Sequence, residues 1–264
     1  MTEKFKIEFP KISAHDYDQD EEYFFLVEPD HREDKNKRKI LFHKYAEIYK
    51  IKGLYEKLFY ERLKCNSPTK VLEALQYSIS QVQENFTELR VLDLGAGNGM
   101  MGEQIRKQGV ARLVGADIIP EAKTANDRDR PTIYDDYYVA NFCNLTPAQK
   151  KDLREWSFNC LTTVAALGFG DIPAEAFLQA FNILLSKGWI AFNIKETFFD
   201  RSDRTGFSIA IRELIFSEYL DVYYLERYQH RLSMEGKPLY YFAIAGRKNA
   251  DIPNNFLTSI GVKG

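Results

Sequence analysis

The chain has 264 residues, of which 45% are hydrophobic and 28% charged, and its formal net charge is −2. This composition is typical of a folded globular protein and excludes a disordered or fibrous one. A nearly neutral chain has no strong positive field to attract a phosphate backbone, so a nucleic-acid substrate is disfavoured.

The cysteines and the hydropathy pattern indicate the cellular compartment of the protein. Cys65, Cys143 and Cys160 lie far apart and form no Cys-x-x-Cys pair, so we expect reduced thiols and no metal site. The first ten residues lack an apolar signal core, and no later apolar run approaches the ~20 residues that span a bilayer. We therefore expect a cytoplasmic protein without a membrane partner.

Residues 1–66 differ in pattern from the rest of the chain. Residues 1–39 are polar and dense in charge, and only the apolar run Tyr23–Val27 is expected to be structured. From residue 40 to residue 64, aromatic and aliphatic side chains recur every three or four positions on either side of Gly53, which is typical of two amphipathic helices. The sequence therefore predicts a partly ordered extension that ends in a helical lid.

Strand and helix patterns alternate from residue 67 to residue 250, which predicts βαβ units and a parallel sheet. Ser67-Pro68 opens a helix. The predicted strands are 90–94, 113–117, 136–142, 158–165 and 189–194, with helices over 100–108, 174–185 and 207–219. Two β-rich runs, 223–232 and 239–246, predict a terminal hairpin. The expected fold is therefore α/β, with a Rossmann-like, mainly parallel seven-stranded sheet, a C-terminal antiparallel hairpin and an N-terminal helical lid, followed by a loose tail over 251–264.

The glycine-rich run Asp93-Leu-Gly-Ala-Gly-Asn-Gly99 follows the first of these strands directly. Glycine permits a tight turn and lets backbone N–H groups approach a ligand at the start of the next helix. Asp117 ends the second strand, where a carboxylate can accept hydrogen bonds from both hydroxyls of a ribose. The sequence thus predicts a nucleotide-like ligand at this turn.

Two ligand classes compete for the turn. Gly97-Asn-Gly-Met-Met-Gly102 satisfies the G-x-G-x-x-G pattern of dinucleotide sites, and Asp117 lies 20 positions after Gly97, as such sites require. However, the first strand ends at Leu94, so this frame would start two residues late. Asp93 would also repel a pyrophosphate, whereas it would hold a ligand that carries an ammonium and a sulfonium. The register therefore favours a ligand with an ammonium and a sulfonium over a dinucleotide. A turn with a purely structural role and no ligand is the third interpretation.

The run Val91-Leu-Asp-Leu-Gly-Ala-Gly-Asn-Gly99, with Val114-Gly-Ala-Asp117 after it, resembles the first two motifs of class I S-adenosylmethionine-dependent methyltransferases. Thr163-Val-Ala-Ala-Leu-Gly-Phe-Gly-Asp-Ile-Pro173 and Leu184-Leu-Ser-Lys-Gly-Trp-Ile190 resemble the small-molecule branch that includes the Williams–Beuren-region methyltransferase-like proteins. The resemblance implies methyl transfer from S-adenosylmethionine to a small molecule, with S-adenosylhomocysteine as the product.

The resemblance also implies which residues bind the cofactor. The amino-acid end of the cofactor would be held by Asp93, Gly95, Ala96, Gly97 and Gly99, and its ribose by Asp117. Its adenine would lie against Ile118, Asn141 and Phe142. The floor below the methyl group would be formed by Val164, Ala165 and Ala166, and the cofactor would be covered by Tyr45 and Tyr49 of the lid. Asn141 stands where the family usually has an acid.

Four side chains are candidates for acid–base work, because histidines and carboxylates suit proton transfer near neutral pH. They are His43 on the lid, Lys195 and Glu196 after the fifth strand, and His230 on the hairpin. Each has a plainer interpretation: Lys195 and Glu196 could form a surface ion pair, and His230 could face solvent. The chain as a whole could also be a non-catalytic cofactor-binding module or an NAD-dependent oxidoreductase, and a homodimer is possible.

Overall fold

The computed structural model describes residues 5–11, 21–27, 37–167, 171–199 and 206–262. Near the N-terminus, β1 (Lys6–Glu8), β2 (Tyr23–Val27) and β3 (Lys37–Leu41) form an antiparallel sheet in the order β1-β2-β3. Of these segments, only Tyr23–Val27 was expected from the sequence to be structured, without being assigned to a strand. The other two are mostly charged and each buries a single side chain, Ile7 or Ile40, so they carry little hydrophobic signal.

Two short helical segments follow this sheet, α1 (Tyr45–Tyr49) and a π-helix (Glu56–Arg62). They confirm the two predicted helices of the lid, although the first begins later than predicted because residues 37–41 pair with β2. The strands and the helices share one small core, which includes Phe24, Phe42 and Leu58. The extension is therefore a packed unit over its described residues.

The remaining strands form one seven-stranded sheet in the order β6-β5-β4-β7-β8-β10-β9. They are β4 (Arg90–Leu94), β5 (Arg112–Asp117), β6 (Asp136–Val139), β7 (Cys160–Thr163), β8 (Trp189–Lys195), β9 (Leu220–Leu232) and β10 (Pro238–Lys248). Strand β10 is antiparallel to β8 and β9, and the other pairs are parallel. The predicted Rossmann-like sheet with a C-terminal hairpin is confirmed.

Helices cover both faces of the sheet, so its central strands read as nearly continuous apolar runs. The helices are α2 (Ser67–Ser80), α3 (Met100–Arg106), α4 (Pro120–Asp129), α5 (Pro147–Glu155), α6 (Ala174–Ile183), α7 (Phe207–Phe216) and α8 (Phe256–Ser259). Among the described residues, no helix combines the length and the hydropathy needed to cross a bilayer.

The hydrophobic pattern missed α4 and α5. Both helices are polar and bury few side chains; in α5 the buried residue is Leu153 alone. Each begins with a proline, and Thr146 forms a reciprocal capping box with Gln149 before α5. These capping signals, rather than periodicity, could have located α5.

The last described residues pack against the main core, whereas the sequence predicted a loose tail over 251–264. Ile252, Phe256 and Val262 are buried, and the Asn182 side chain both donates to the carbonyl oxygen of Ile252 (2.9 Å) and accepts from its N–H (2.9 Å). The prediction failed because the apolar residues of this segment are widely spaced in a polar run.

The packing of this segment gives a test of the fold. Phe256 is 4% exposed, so Phe256→Ala should lower the free energy of unfolding by about 3–5 kcal/mol, the usual cost of removing a buried ring. Phe216 is 80% exposed, and Phe216→Ala should change it by less than about 0.5 kcal/mol. Urea unfolding of the two variants measures both values. Equal effects would contradict the packing described here.

Candidate functional site

The glycine turn after β4 stands at the carboxyl edge of the parallel strands. Gly95 and Gly97 have φ values of +73° and +54°, a region that favours glycine. A Cβ atom at Gly97 would lie 2.5 Å from the hydroxyl oxygen of Tyr49, and one at Gly95 would lie 2.8 Å from the Cδ1 atom of Ile172. The turn therefore brings bare backbone against the lid on one side and the loop after β7 on the other.

Asp117, the last residue of β5, holds this turn in place. Its Oδ2 atom accepts a hydrogen bond from the N–H of Gly97 (2.9 Å), and its Oδ1 atom accepts one from the N–H of Ile119 (3.0 Å). Burial raises the pKa of the carboxyl, while the backbone hydrogen bonds act in the opposite direction. Each carboxylate oxygen has a second lone pair, so the group can also accept hydrogen bonds from a ribose.

Asp93 lies below the turn, one position before the end of β4. The hydroxyl of Thr162 donates to its Oδ1 atom (2.7 Å), and the hydroxyl of Tyr134 donates to its Oδ2 atom (2.7 Å). Burial raises the pKa of Asp93 to about 6, and the two hydrogen bonds partly oppose that rise. A buried carboxylate of this kind is suited to a cationic ligand group.

Two cavities border the turn, and a third adjoins the larger of them. The main cavity measures about 240 Å³ and lies between the lid and the ends of the parallel strands. Of the residues predicted to bind the cofactor, it is lined by Tyr45, Tyr49, Gly95, Asp117, Ile118, Asn141, Phe142 and Val164. The turn cavity, about 30 Å³, adds Asp93, Ala96 and Gly97. Every residue predicted to bind the cofactor therefore lines one of these two cavities, except Gly99. A Cβ atom at Gly99 would lie 2.7 Å from the Oδ1 atom of Asn126 instead.

The lid closes over these cavities with three tyrosines, Tyr45, Tyr49 and Tyr55, which we call the tyrosine lid. The ring centroids of Tyr45 and Tyr49 are 6.1 Å apart, and those of Tyr49 and Tyr55 are 5.1 Å apart. Burial raises the pKa of all three, so the rings are neutral. Neutral aromatic faces are suited to a positively charged group such as a sulfonium. The sequence did not single out Tyr55, because its spacing matched an ordinary core position.

A second small cavity, which we call the side cavity, measures about 30 Å³ and shares five lining residues with the main cavity. They are His43, Tyr45, Tyr55, Ala165 and Asp171. The Nδ1 atom of His43 lies 3.1 Å from the Oδ2 atom of Asp171. Because a carboxylate can only accept, Nδ1 carries the hydrogen in this pair. Asp171 was not assigned a role from the sequence, since it lies in a loop 128 positions from its partner.

The other three acid–base candidates separate in the structure. His230, on β9, lines the side cavity and is buried rather than facing solvent. Burial lowers the pKa of its imidazole well below the usual value, and the nearby Arg231 lowers it further. Lys195 and Glu196 line none of the three cavities, and Glu196 accepts a hydrogen bond from Nε of Arg227 at 2.6 Å. Glu196 therefore forms a surface ion pair, though with a different partner from the one expected.

The comparisons with known proteins agree with this fold. Residues 92–192 match the family model of a methyltransferase domain. The solved structure of the N-methyltransferase NodS from Bradyrhizobium japonicum WM9, in complex with S-adenosylhomocysteine, has a TM-score of 0.51 at 13% identity and covers 79% of this chain and 98% of that one.

A second solved structure, an S-adenosylmethionine dependent methyltransferase from Mesorhizobium loti, has a TM-score of 0.45 at 14% identity and covers 67% of this chain and 100% of that one. No curated protein matches the chain. The resemblance to the Williams–Beuren-region proteins therefore stays a prediction.

The pKa of Asp93 predicts how ligand affinity depends on pH. With a pKa of about 6, the carboxyl is ionised at neutral pH and becomes protonated as the pH falls through that value. Its attraction for an ammonium group is then lost, so the affinity for S-adenosylhomocysteine should fall below about pH 6, by up to roughly tenfold per pH unit. Isothermal titration at several pH values measures this slope.

Asp93→Asn provides the matched control, because the amide does not titrate. This variant should bind more weakly at neutral pH and show a flat profile. A slope that persists in Asp93→Asn would assign the titration to another group, such as the Asp117 carboxyl.

Proposed function

We propose that this chain, whose residues 92–192 match the family model of a methyltransferase domain, transfers the methyl group of S-adenosylmethionine to a small-molecule acceptor. The observation that carries the proposal is the pair of carboxylates beside the glycine turn, of which Asp93 is buried and Asp117 is partly buried. Asp117 lines the main cavity, where a ribose would lie, and Asp93 lines the turn cavity, where an ammonium group would lie. A pyrophosphate would meet the Asp93 carboxylate and be repelled.

The residues present fit the cofactor along its length. Asp117 would accept the ribose hydroxyls, Ile118 and Phe142 would flank the adenine, and Asp93 would hold the amino-acid end. The tyrosine lid would place aromatic faces beside the sulfonium. When bound, S-adenosylmethionine supplies a methyl group on a positively charged sulfur that is already a good leaving group.

The work left to the chain is to orient the acceptor and to exclude water. The side cavity adjoins the main cavity along His43, Tyr45, Tyr55, Ala165 and Asp171, so an acceptor placed there lies next to the cofactor site. The cavity is small and mostly aromatic, and the net charge of −2 gives no field for a polyanion. These features support a small-molecule acceptor.

Where the methyl acceptor must lose a proton, the proposed base is the His43–Asp171 pair. The carboxylate fixes Nδ1 of His43 as the donor, which leaves the lone pair on Nε2 to act as a base. The Nε2 atom is buried, so acceptor binding must shift the lid before this atom can take a proton. Lys195 and Glu196 lie outside the cavities and have no part in this step.

Ligand preference tests the proposal directly. In parallel isothermal titrations, S-adenosylmethionine and S-adenosylhomocysteine should bind with dissociation constants of about micromolar magnitude, and NAD and NADP should not bind. Binding of NAD alone would overturn the proposal in favour of an oxidoreductase. Binding of the adenosyl ligands without turnover of any acceptor would favour a non-catalytic module.

A comparison of acceptors tests the base. A phenol has a pKa of about 10 and needs a base at neutral pH, whereas the thiol of thiophenol is much more acidic and ionises readily. His43→Gln should lower the turnover of catechol by about a hundredfold or more, and that of thiophenol by less than about tenfold. Transfer of a labelled methyl group measures both. Equal losses for the two acceptors would show that His43 acts in binding or folding instead.

A further inference from the structure

A network of buried polar side chains runs from the sheet to the side cavity, and the proposed chemistry does not use it. It begins at Asn193 on β8, whose Oδ1 atom accepts a hydrogen bond from the N–H of Ala165 (2.7 Å). The Nδ2 atom therefore donates both of its hydrogens, to Oγ of Ser67 (3.1 Å) and to the hydroxyl of Tyr228 (2.8 Å). The backbone donor thus fixes the orientation of the amide.

The orientation of Asn193 determines the remaining hydrogens. The hydroxyls of Ser67 and Tyr228 are 2.7 Å apart, and the Ser67 hydroxyl lies 2.5 Å from Nδ1 of His230. If Tyr228 donates to Ser67 and Ser67 donates to His230, every hydrogen in the network has an acceptor. In the reverse direction the Tyr228 hydrogen would find no acceptor among the described residues, and a buried unpaired donor is costly.

The favoured direction makes Nδ1 of His230 an acceptor, so the hydrogen of the neutral imidazole lies on Nε2. The thiol of Cys65 also faces Nδ1, at 3.9 Å, and its weakly donating S–H is compatible with an accepting Nδ1. The ring packs against that of Tyr241, with centroids 4.0 Å apart and planes tilted by 32°, and this contact restricts its rotation. With Nδ1 turned to Ser67, the edge that carries Nε2 is the polar edge that His230 can present to the side cavity.

The charges around the side cavity are largely balanced within the protein. The guanidinium of Arg231 donates to a carboxylate oxygen of Glu22 at 2.5 Å, and the other oxygen of Glu22 accepts from the N–H of Met234 at 2.7 Å. Asp171 is engaged by His43. A charged ligand group would find a cation that already has a counter-ion, so an uncharged group fits this cavity better.

We propose that the side cavity is the anchoring subsite for the methyl acceptor, in which Nε2–H of His230 donates a hydrogen bond to one uncharged hydroxyl or carbonyl oxygen. This inference rests on the proposed function. A cavity of about 30 Å³ has room for one or two water-sized groups, so it takes a single oxygen-bearing end of the acceptor. The atom that is methylated lies on the other side, towards the main cavity.

In this arrangement His230 is a binding residue and not an acid or a base. Its fixed hydrogen distinguishes an acceptor with an oxygen at this position from one that lacks it. The acceptor class that follows is a planar molecule with two functional groups, one to be methylated and one to be anchored, since aromatic rings such as Tyr45 and Tyr55 line the space between them.

Nitrogen-15 NMR of the histidines in the protein saturated with S-adenosylhomocysteine tests the assignment of the hydrogen. His230 should show a protonated Nε2 and an unprotonated Nδ1 at neutral pH. Phenol should then shift the Nε2 signal in a saturable way at about millimolar concentration, as expected for so small a ligand. Benzoate and benzene should each bind roughly two- to tenfold more weakly, the usual effect of one hydrogen bond.

Two variants separate anchoring from a structural role. The side-chain nitrogen of His230→Gln can lie near the position of Nε2 and donate, whereas the side-chain oxygen of His230→Asn can lie near Nδ1 and accept from Ser67. We expect phenol binding to be retained in His230→Gln and reduced roughly two- to tenfold in His230→Asn, with unchanged affinity for S-adenosylhomocysteine in both.

The opposite ranking of the two variants would show that His230 only supports Ser67 and would overturn the inference. So would a hydrogen on Nδ1, or the absence of any response to phenol in the native protein. Failure of the native protein to bind S-adenosylhomocysteine would instead count against the proposed function, and the NMR measurement on the ligand-free protein would still decide the position of the hydrogen.

Discussion

The hydrogen bond from the N–H of Gly97 to the carboxylate of Asp117, at 2.9 Å, joins the turn after β4 to the end of β5. The two strands are parallel neighbours, so their carboxyl ends lie side by side at one edge of the sheet. The positive φ values of Gly95 and Gly97 bend the chain into reach of the carboxylate. The missing Cβ atoms leave room for the lid at Gly97 and for the loop after β7 at Gly95. The main cavity and the turn cavity lie around this connection, and the side cavity adjoins the main cavity.

The N-terminal unit is part of the site because a buried ion pair connects it to the hairpin. Glu22, just before β2, and Arg231, on β9, are 2% and 3% exposed, and the same carboxylate also accepts from the backbone of Met234. A buried pair of this kind adds little net stability, but separating it would leave two unpaired charges. It therefore fixes the position of the small sheet and, with it, the tyrosine lid. The side cavity exists only because the two units meet in this way.

A feature of this fold could be predicted from the sequence where neighbouring residues determine it. The glycine turn, Asp117 and the alternation of strands and helices are read from neighbouring positions, and the structure places them as predicted, with β4 ending at Leu94. Strands β1 and β3 were missed because they gain their structure from pairing with β2 and not from their own apolar residues. The polar helix α5 was missed for a related reason, since it has one buried side chain.

The polar contacts of the site were the least predictable part. Asp171 and His43 are 128 positions apart, and Ser67 and His230 are 163 apart, so no spacing rule connects either pair. His230 was singled out from its residue type alone, which could not show that burial would keep it neutral. Burial and hydrogen-bond partners, not residue type, decide whether a histidine exchanges protons or only donates a hydrogen bond.

The same network that orients His230 also holds Ala165, at the junction of the three cavities. Ala165 has a φ of +55°, an unfavourable value for a residue with a Cβ, and such a conformation persists only when its surroundings enforce it. The amide of Asn193 enforces it by accepting from the N–H of Ala165, and Ala165 lines all three cavities. A shift of Asn193 would therefore move the junction of the cavities and redirect the hydrogens of Ser67 and Tyr228 at once. The buried amide of Asn193 thus links Ala165, at the junction of the three cavities, with His230 in the side cavity.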